Sequence, residues 1–260
     1  MSMDIQQLKQ FKILLIGDIC SDIYHYGQCD RMSPEAPVPI FRKEKTKIVP
    51  GMAGNVKEIL KNFNLDVSFC HNSEKIKKIR LVDSQFNHHL LRIDEEPKKI
   101  NPFIFEIKQE NFDAIVVSDY EKGFITLEVA KQISIFAKKN NIPMFVDSKK
   151  EDISCYEGCF IKINAKEENK VKKIPQTCEL IVTKGKNGAS WNGTLYPAIE
   201  TEVFDVCGAG DAFLCGLVYG YLVYKNLEQA IWFANRCGSI AVSHIGTYAL
   251  TLEDINDNIC

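Results

Sequence analysis

The chain has 260 residues, with 32 lysines and arginines against 34 aspartates and glutamates, for a formal net charge of −2. At 45% hydrophobic and 25% charged residues it has the make-up of a folded domain and not of a disordered, collagenous or fibrous chain. Charges of both signs are interspersed, so no basic stripe announces a nucleic-acid partner, although a local positive pocket for a phosphorylated small molecule remains open.

In chain order, Lys12-Ile-Leu-Leu-Ile-Gly17 is a compact apolar run closed by Gly17-Asp18, which predicts a buried parallel strand. The run is too short for a secretory core, and the longest apolar stretch, Ala212 to Tyr224, falls short of the about 20 residues that a bilayer span needs. The expectation is a cytoplasmic protein without a membrane partner. Residues 28–50, with prolines at 34, 37, 39 and 50, and residues 76–94 break the helix–strand alternation. Both read as exposed strands of a small lid over the C-terminal ends of the main strands, where open α/β sheets bind ligands.

Asp113 to Ser118 and Pro143 to Asp147 repeat the buried-strand pattern, and between them Thr126 to Asn140 reads as a crossover helix with Thr126 as its N-cap. Two short strands follow, Cys159 to Asn164 and Leu180 to Thr183. Asn192-Gly193 marks a hairpin turn, a reading preferred over the Asn-x-Thr glycosylation signal that it also forms. Two long helical patterns, Ala209 to Tyr224 and Leu227 to His244, close the chain. The order is that of one α/β domain over residues 1–260, a mainly parallel sheet covered by helices.

Ten cysteines, at 20, 29, 70, 155, 159, 178, 207, 215, 237 and 260, include no Cys-x-x-Cys pair, so the expectation is free thiols in a reducing compartment rather than zinc. His88 and His89 are neighbours on a strand pattern and point to opposite faces, which does not suit one metal ion.

The stretch Asp205-Val-Cys207-Gly208-Ala209-Gly210-Asp211 feeds a small-residue turn directly into an apolar helix. Backbone N–H groups of residues 207–210 together with the helix N-terminus would favour an anion, and a phosphoryl group in transfer would be stabilised there. Asp211, repelled by phosphate, suits the removal of a proton from an attacking hydroxyl. Alone, the motif is equally compatible with a helix start in which Asp211 merely favours the dipole. Asp18 and Asp22, after the first strand, would accept hydrogen bonds from sugar hydroxyls, with a local turn role for Asp18 the alternative. Lys78, Arg80 and Arg92 cluster on the expected lid, either as a phosphate grip or as a solvated strand face. No Walker loop or protein-kinase string occurs.

Asp205 to Asp211 resembles the Asp-x-x-Gly-Ala-Gly-Asp signature of the ribokinase-like (PfkB) sugar kinases. Gly51-Met-Ala-Gly54-Asn55 is similar to the family's N-terminal signature, Asn164-Ala-Lys-Glu167 to its Asn-x-x-Glu motif, and Thr183-Lys-Gly185-Lys-Asn-Gly188 to its nucleotide loop, while Asn235 stands where a late helix borders the adenine. The resemblance implies a three-layer α/β/α sandwich with a β lid, ATP and Mg2+ as cofactors, and Asp211 as the base. It places Gly51 and Asn55 against the sugar, and Asn164, Glu167, Thr183, Gly185, Gly188 and Asn235 around ATP, with Glu167 reaching the metal through water. It also implies a homodimer formed through the lid.

Gly17-Asp18-x-x-x-Asp22-x-Tyr-x-Tyr-Gly27 and Ser33-Pro-Glu-Ala-Pro-Val-Pro39 narrow the resemblance to the heptose-7-phosphate kinases of lipopolysaccharide precursor synthesis. Lys78, Arg80, Gln85 and Arg92 are similar to their lid ribbon, and Asp119 and Lys122 to a core loop, which makes these residues candidates for holding the sugar phosphate. The implied reaction is phosphoryl transfer from ATP to C1 of D-glycero-D-manno-heptose 7-phosphate; another sugar acceptor, or a non-catalytic binding role, are the alternatives. Two departures stand out. Only His71-Asn-Ser-Glu-Lys75 separates the strand near residues 67–70 from the lid, where the family has a helix and a strand, and Met52 replaces a glycine beside the sugar. The family's nucleotidyltransferase half has no counterpart here, so activation to a nucleotide sugar is expected to need another protein.

Overall fold

The computed structural model describes residues 10–107 and 111–257, which leaves Cys260 outside the described residues. The apolar run Lys12–Gly17 is β1, and a single residue, Asp18, separates it from β2, Ile19–Gln28. β3 spans Arg42–Met52 and passes without a break into α1, Ala53–Asn62, which is followed by β4, Asp66–His71. β5 (Lys77–Asp83) and β6 (His89–Glu95) form the expected ribbon, then β7 (Ala114–Asp119), α2 (Leu127–Lys139), β8 (Met144–Ser148) and β9 (Phe160–Asn164) alternate. The one-turn α3 (Ala165–Glu168) precedes β10 (Glu179–Thr183), β11 (Ala189–Trp191) and β12 (Thr194–Tyr196), and the helices α4 (Ala209–Tyr224), α5 (Leu227–Val242) and α6 (Leu252–Asp257) close the fold.

The main sheet has eight strands in the order β12-β11-β10-β9-β8-β7-β1-β4, parallel except at the β10–β11–β12 edge. Two apolar clusters cover its faces: Ile13, Leu15, Val116 and Phe145 pack on α1, α4 and α5, whereas Leu14, Ile16, Ile115 and Val117 pack on α2 and the loops after β8. Strands buried on both faces explain the near-continuous apolar runs of the sequence. Local signals hold as expected at α2, where the Thr126 hydroxyl accepts from Val129 N at 3.2 Å, and at the hairpin, where Asn192 and Gly193 both have positive φ.

The lid differs from its expected extent. It is a four-stranded sheet, β3-β2-β5-β6, so β2 belongs to it and residues 29–41 form a loop with one isolated bridge, Met32 to Pro39. Tyr24, Arg80 and Arg92 share one face of the sheet, and Ile48, Ile23, Ile79 and Ile93 form a row on the other. The short connection from β4 to β5 is closed by Asn72, whose Oδ1 accepts from Ile19 N at 2.7 Å and whose Nδ2 donates to Glu74 O at 2.7 Å. Glu74 in turn accepts from Asn101 N at 2.9 Å. The lid is therefore tied to the β1–β2 junction by side-chain hydrogen bonds where the family has a longer segment.

Helices α4 and α5 approach each other over small residues. A Cβ on Gly216 would lie 2.7 Å from Cys237 Sγ and 2.9 Å from Ala234 Cα, and one on Gly220 would lie 2.9 Å from Ala230 Cα. This contact sets where the N-terminus of α4 stands. Gly216→Val is expected to lower the unfolding free energy by about 1–3 kcal/mol through overpacking, measured by urea unfolding followed by circular dichroism.

Candidate active site

Asp211 is the third residue of α4 and only 5% exposed, and it is held at both carboxylate oxygens. Asn55 Nδ2, from α1, donates to Oδ2 at 2.9 Å, and the Tyr120 hydroxyl, just after β7, donates to Oδ1 at 2.9 Å. Burial pushes the Asp211 carboxyl above the ordinary carboxylate value; Asp147 reinforces the effect, while Asn55, Lys162 and Tyr120 oppose it. The Gly208 backbone, with φ 79°, turns the chain into the helix; in the first turn N–H groups have no intrahelical acceptors, and that of Ala209 makes a long contact of 3.4 Å to Val206 O. Cys207 differs from the expectation, because its N–H donates to Asp205 Oδ1 at 2.9 Å. Asp205 Oδ2 also accepts from Gly246 N at 3.0 Å, so Asp205 shapes the turn and takes the Cys207 N–H out of the candidate anion site.

Below that turn lies an array of charges. Lys162 is 2% exposed on β9, donates to Asp147 Oδ2 at 2.6 Å, and stands 2.9 Å from the place a Cβ on Gly210 would take. Lys149 donates to Asp147 Oδ1 at 2.8 Å and pairs with Glu167 at 2.6 Å. Burial raises the Asp147 carboxyl, but Lys162 and Lys149 outweigh burial and hold it below its ordinary value. Asn164 and Glu167 form a capping box on α3: Asn164 Oδ1 accepts from Glu167 N at 3.0 Å and Glu167 Oε2 accepts from Asn164 N at 2.8 Å.

A cavity of about 650 Å³ opens beside the start of α4, lined by Thr183, Gly185, Gly188, Gly210, Phe213 and Asn235. Gly188, with φ 93°, lets the β10–β11 loop close onto Tyr196, and Asn235 Nδ2 donates to Tyr196 O at 2.8 Å. Asn235 thus builds the wall rather than presenting a free amide to a base. A crevice of this size that ends on a helix N-terminus fits a nucleoside triphosphate. No cluster of three or more ligating side chains that could hold a metal exists among the described residues. Glu167 suits a magnesium ion held chiefly by phosphates and water, as that ion prefers, whereas both oxygens of Asp147 are taken by Lys162 and Lys149.

The sugar-side candidates divide. Asp18 is fully buried; its Oδ2 accepts from Tyr120 N at 2.8 Å and Lys122 N at 3.4 Å, whereas its Oδ1 has no partner among the described residues. Burial and the neighbouring Asp119 push its carboxyl up. Asp22 pairs with Arg80, whose guanidinium lies 5.1 Å from the Tyr24 ring, and Gly51 lacks the Cβ that would collide with Asp22. Arg80 is therefore committed to the lid itself. Arg92 is exposed and pairs with Asp94 at 2.9 Å, Lys122 pairs with Glu96 at 2.6 Å, and Gln85 is exposed in the β5–β6 turn. Asp119 is fully buried and accepts from Ser148, Lys150, Tyr156 and the Glu121 N–H, which fills its acceptor sites and leaves none for a sugar. Of the three cations expected to grip a phosphate, Lys78 alone forms no ion pair among the described residues, and its ammonium lies 5.2 Å from the Tyr120 ring. Val146-Asp147-Ser-Lys149 and the string from Asp119 to Lys122 resemble core loops of the heptose kinases, but sequence reasoning gave no role to Tyr120, Asp147, Lys149 or Lys162; a lysine inside the buried strand Phe-Ile-Lys162-Ile-Asn is a further signal.

Comparisons with known proteins agree with this geometry. The model of the pfkB family carbohydrate kinases matches residues 52–254. Bifunctional protein HldE of a Nitratiruptor species is 32% identical over 305 aligned residues, which cover 95% of this chain and 64% of the relative. HldE of Campylobacter jejuni (strain RM1221) is 33% identical over 293, covering 94% and 64%. The chain spans about two thirds of the length of these relatives, and the aligned spans exceed its own 260 residues, so the relatives carry segments absent here. Phosphofructokinase-2 from Escherichia coli in complex with potassium superposes with a TM-score of 0.72 at 15% identity, over 96% of this chain and 98% of that one. Arabidopsis thaliana ribokinase complexed with ribose and ATP superposes with a TM-score of 0.68 at 13% identity, over 96% and 98%. The fold is ribokinase-like, and with the match covering most of its length the chain belongs to the pfkB family of carbohydrate kinases.

Proposed function

We propose that this chain transfers the γ-phosphoryl group of ATP to a sugar hydroxyl, with heptose 7-phosphate the acceptor that the sequence favours. The observation that carries the reading is Asp211, a buried carboxylate with raised basicity beside a helix N-terminus and below a lid. Asp211 takes the proton of the acceptor hydroxyl while that oxygen attacks the γ-phosphorus, and the bond from the γ-phosphorus to the bridging oxygen breaks to release ADP. The N–H groups at the start of α4 face the equatorial oxygens, and the Lys162 ammonium beneath Gly210 adds positive charge to the same place. Magnesium, bound with the nucleotide, supplies charge neutralisation of the phosphates. Lys149 keeps Glu167 in position for it.

On the acceptor side, Asp18 Oδ1 is an acceptor in need of a donor and Lys78 is a cation without a carboxylate among the described residues. With one of the three expected cations left unpaired among the described residues, a second acceptor class is favoured, a sugar whose phosphate is held by Lys78 with little help from Arg80 and Arg92. Release of ADP with D-glycero-D-manno-heptose 7-phosphate, ribose, fructose 6-phosphate or no acceptor separates these readings. Turnover with the heptose phosphate alone supports the first, and turnover with another sugar replaces the acceptor while keeping the chemistry.

A homodimer through the lid accords with its apolar face, on which Ile48 is 64%, Leu91 55% and Ile93 44% exposed. No helix among the described residues is long and apolar enough to cross a membrane, so this face is not part of a helical span.

Three outcomes check these assignments. Asp211→Asn should lower kcat by roughly 10²- to 10⁴-fold while ATP binding, measured by calorimetry, stays near that of the parent. Because the base must be ionised and burial raises its carboxyl above the ordinary 3.8, activity should rise with pH through an apparent pKa above 3.8 on the acidic limb of kcat/KM. Ile93→Lys should convert a dimer into a monomer in sedimentation equilibrium; an unchanged mass would place any assembly elsewhere.

A further inference from the structure

Tyr120 follows β7 directly and is tied down at both ends. Its N–H donates to Asp18 Oδ2 at 2.8 Å and its hydroxyl donates to Asp211 Oδ1 at 2.9 Å, so one residue spans the distance between the buried sugar-side carboxylate and the base. Its ring lies 5.2 Å from the Lys78 ammonium of the lid and 5.3 Å from the Lys149 ammonium on the nucleotide side. Burial first, and then the charge of Asp211, pushes the phenol well above its ordinary value, so it stays protonated and acts as a donor. With Asn55 on Oδ2 and Tyr120 on Oδ1, the Asp211 carboxylate is gripped from two elements and cannot turn freely, while each oxygen keeps a second lone pair for an incoming hydroxyl. A base held in this way is aligned before the acceptor arrives.

We propose that Tyr120 is a positioning residue for the transfer step, its hydroxyl fixing the Asp211 carboxylate and its ring seating the lid ammonium of Lys78 that receives the acceptor. The inference rests on Asp211 being the base of a sugar kinase. The other groups that face Asp211 are Asp147 and Lys162 from the strands below, Cys20 from the lid and Cys215 on the next turn of α4, with Lys78 and Lys149 beside the Tyr120 ring. Both thiols are pushed up by burial, Cys20 to about 12, so neither changes charge where a carboxylate titrates.

The test reads Asp211 directly. In the full chain labelled with 13C at the aspartate carboxyl carbons, the Asp211 signal is identified by its loss in Asp211→Asn and followed with pH in the parent and in Tyr120→Phe. Phenylalanine keeps the ring and removes the donor, and a carboxylate that loses a donor is harder to ionise, so the Asp211 titration is expected to move to higher pH. The acidic limb of kcat/KM should move with it, and the plateau kcat should fall roughly tenfold with the acceptor KM little changed. Tyr120→Leu, which removes the ring as well, should raise the acceptor KM too. A merely structural role would lower the unfolding temperature of the Phe variant and leave the Asp211 titration in place, and that result overturns the proposal. Retained turnover in Asp211→Asn would instead overturn the base assignment on which it rests. Should the Phe variant fail to fold, 3-fluorotyrosine at position 120 keeps the shape, donates more strongly, and is expected to move the Asp211 titration to lower pH; no movement there also overturns the proposal.

Discussion

Asp147 stands between two ammonium groups with almost no contact with water, and the chemistry of the site depends on that arrangement. Burial alone would neutralise such a carboxylate, yet Lys162 on one oxygen and Lys149 on the other hold it ionised. Each lysine has a second duty besides its salt bridge. Lys162 sits under the first turn of α4, where only a glycine at 210 leaves room for it, and Lys149 reaches Glu167 at the capping box of α3. One carboxylate thereby fixes the distance between the anion-binding turn, the Asn164–Glu167 loop and the Tyr120 ring.

The lid solves a different problem, with a polar, partly buried face and an apolar exposed one. Its buried face carries Asp22, Tyr24 and Arg80, which satisfy one another, and the Tyr24 hydroxyl meets Thr247 Oγ1 at 3.0 Å to join lid and C-terminal loop. Arg80 reads as a phosphate grip in the sequence because a strand cation is ordinarily free to bind; buried beside Asp22, it is needed as the partner of that carboxylate. Lys78, two residues earlier and on the same face, forms no ion pair among the described residues and lies over the Tyr120 ring.

Much of this was legible in the sequence, for reasons that differ by element. Strands β1, β7 and β8 announce themselves because burial on both faces demands unbroken apolar runs, and α2 and α4 because their caps and lengths are local properties. The turn proposed to bind an anion and the acid proposed as the base stand out as a motif, since a glycine with positive φ, a helix start and an acid follow one another in the chain. β2 does not. Ile19 to Gln28 mixes apolar and polar residues directly after Gly17-Asp18, and nothing in that string says that the chain changes sheets at one residue. Asp119 was likewise misleading: it stands in a loop-like string, but Ser148, Lys150 and Tyr156 reach it from 29 to 37 residues away, and such partners leave no local trace.

Met52 joins these strands of argument. It occupies φ 56°, ψ −132°, a conformation suited to glycine, as the last residue of β3 and the N-cap of α1. Its side chain, standing where the resemblance implies a glycine, is 3% exposed and packs into the apolar cluster with Leu14, Ile16 and Cys20. The strain is held by its surroundings: Ala53 N donates to Asp18 O at 3.0 Å, and the preceding Gly51 lies against Asp22. Backbone strain of about 1–3 kcal/mol persists where packing over-determines it, and here packing of the methionine contributes to what holds it. The Asp18 carbonyl thus fixes the start of α1, which delivers Asn55 to Asp211, so the departure at position 52 leaves the Asn55–Asp211 contact in place.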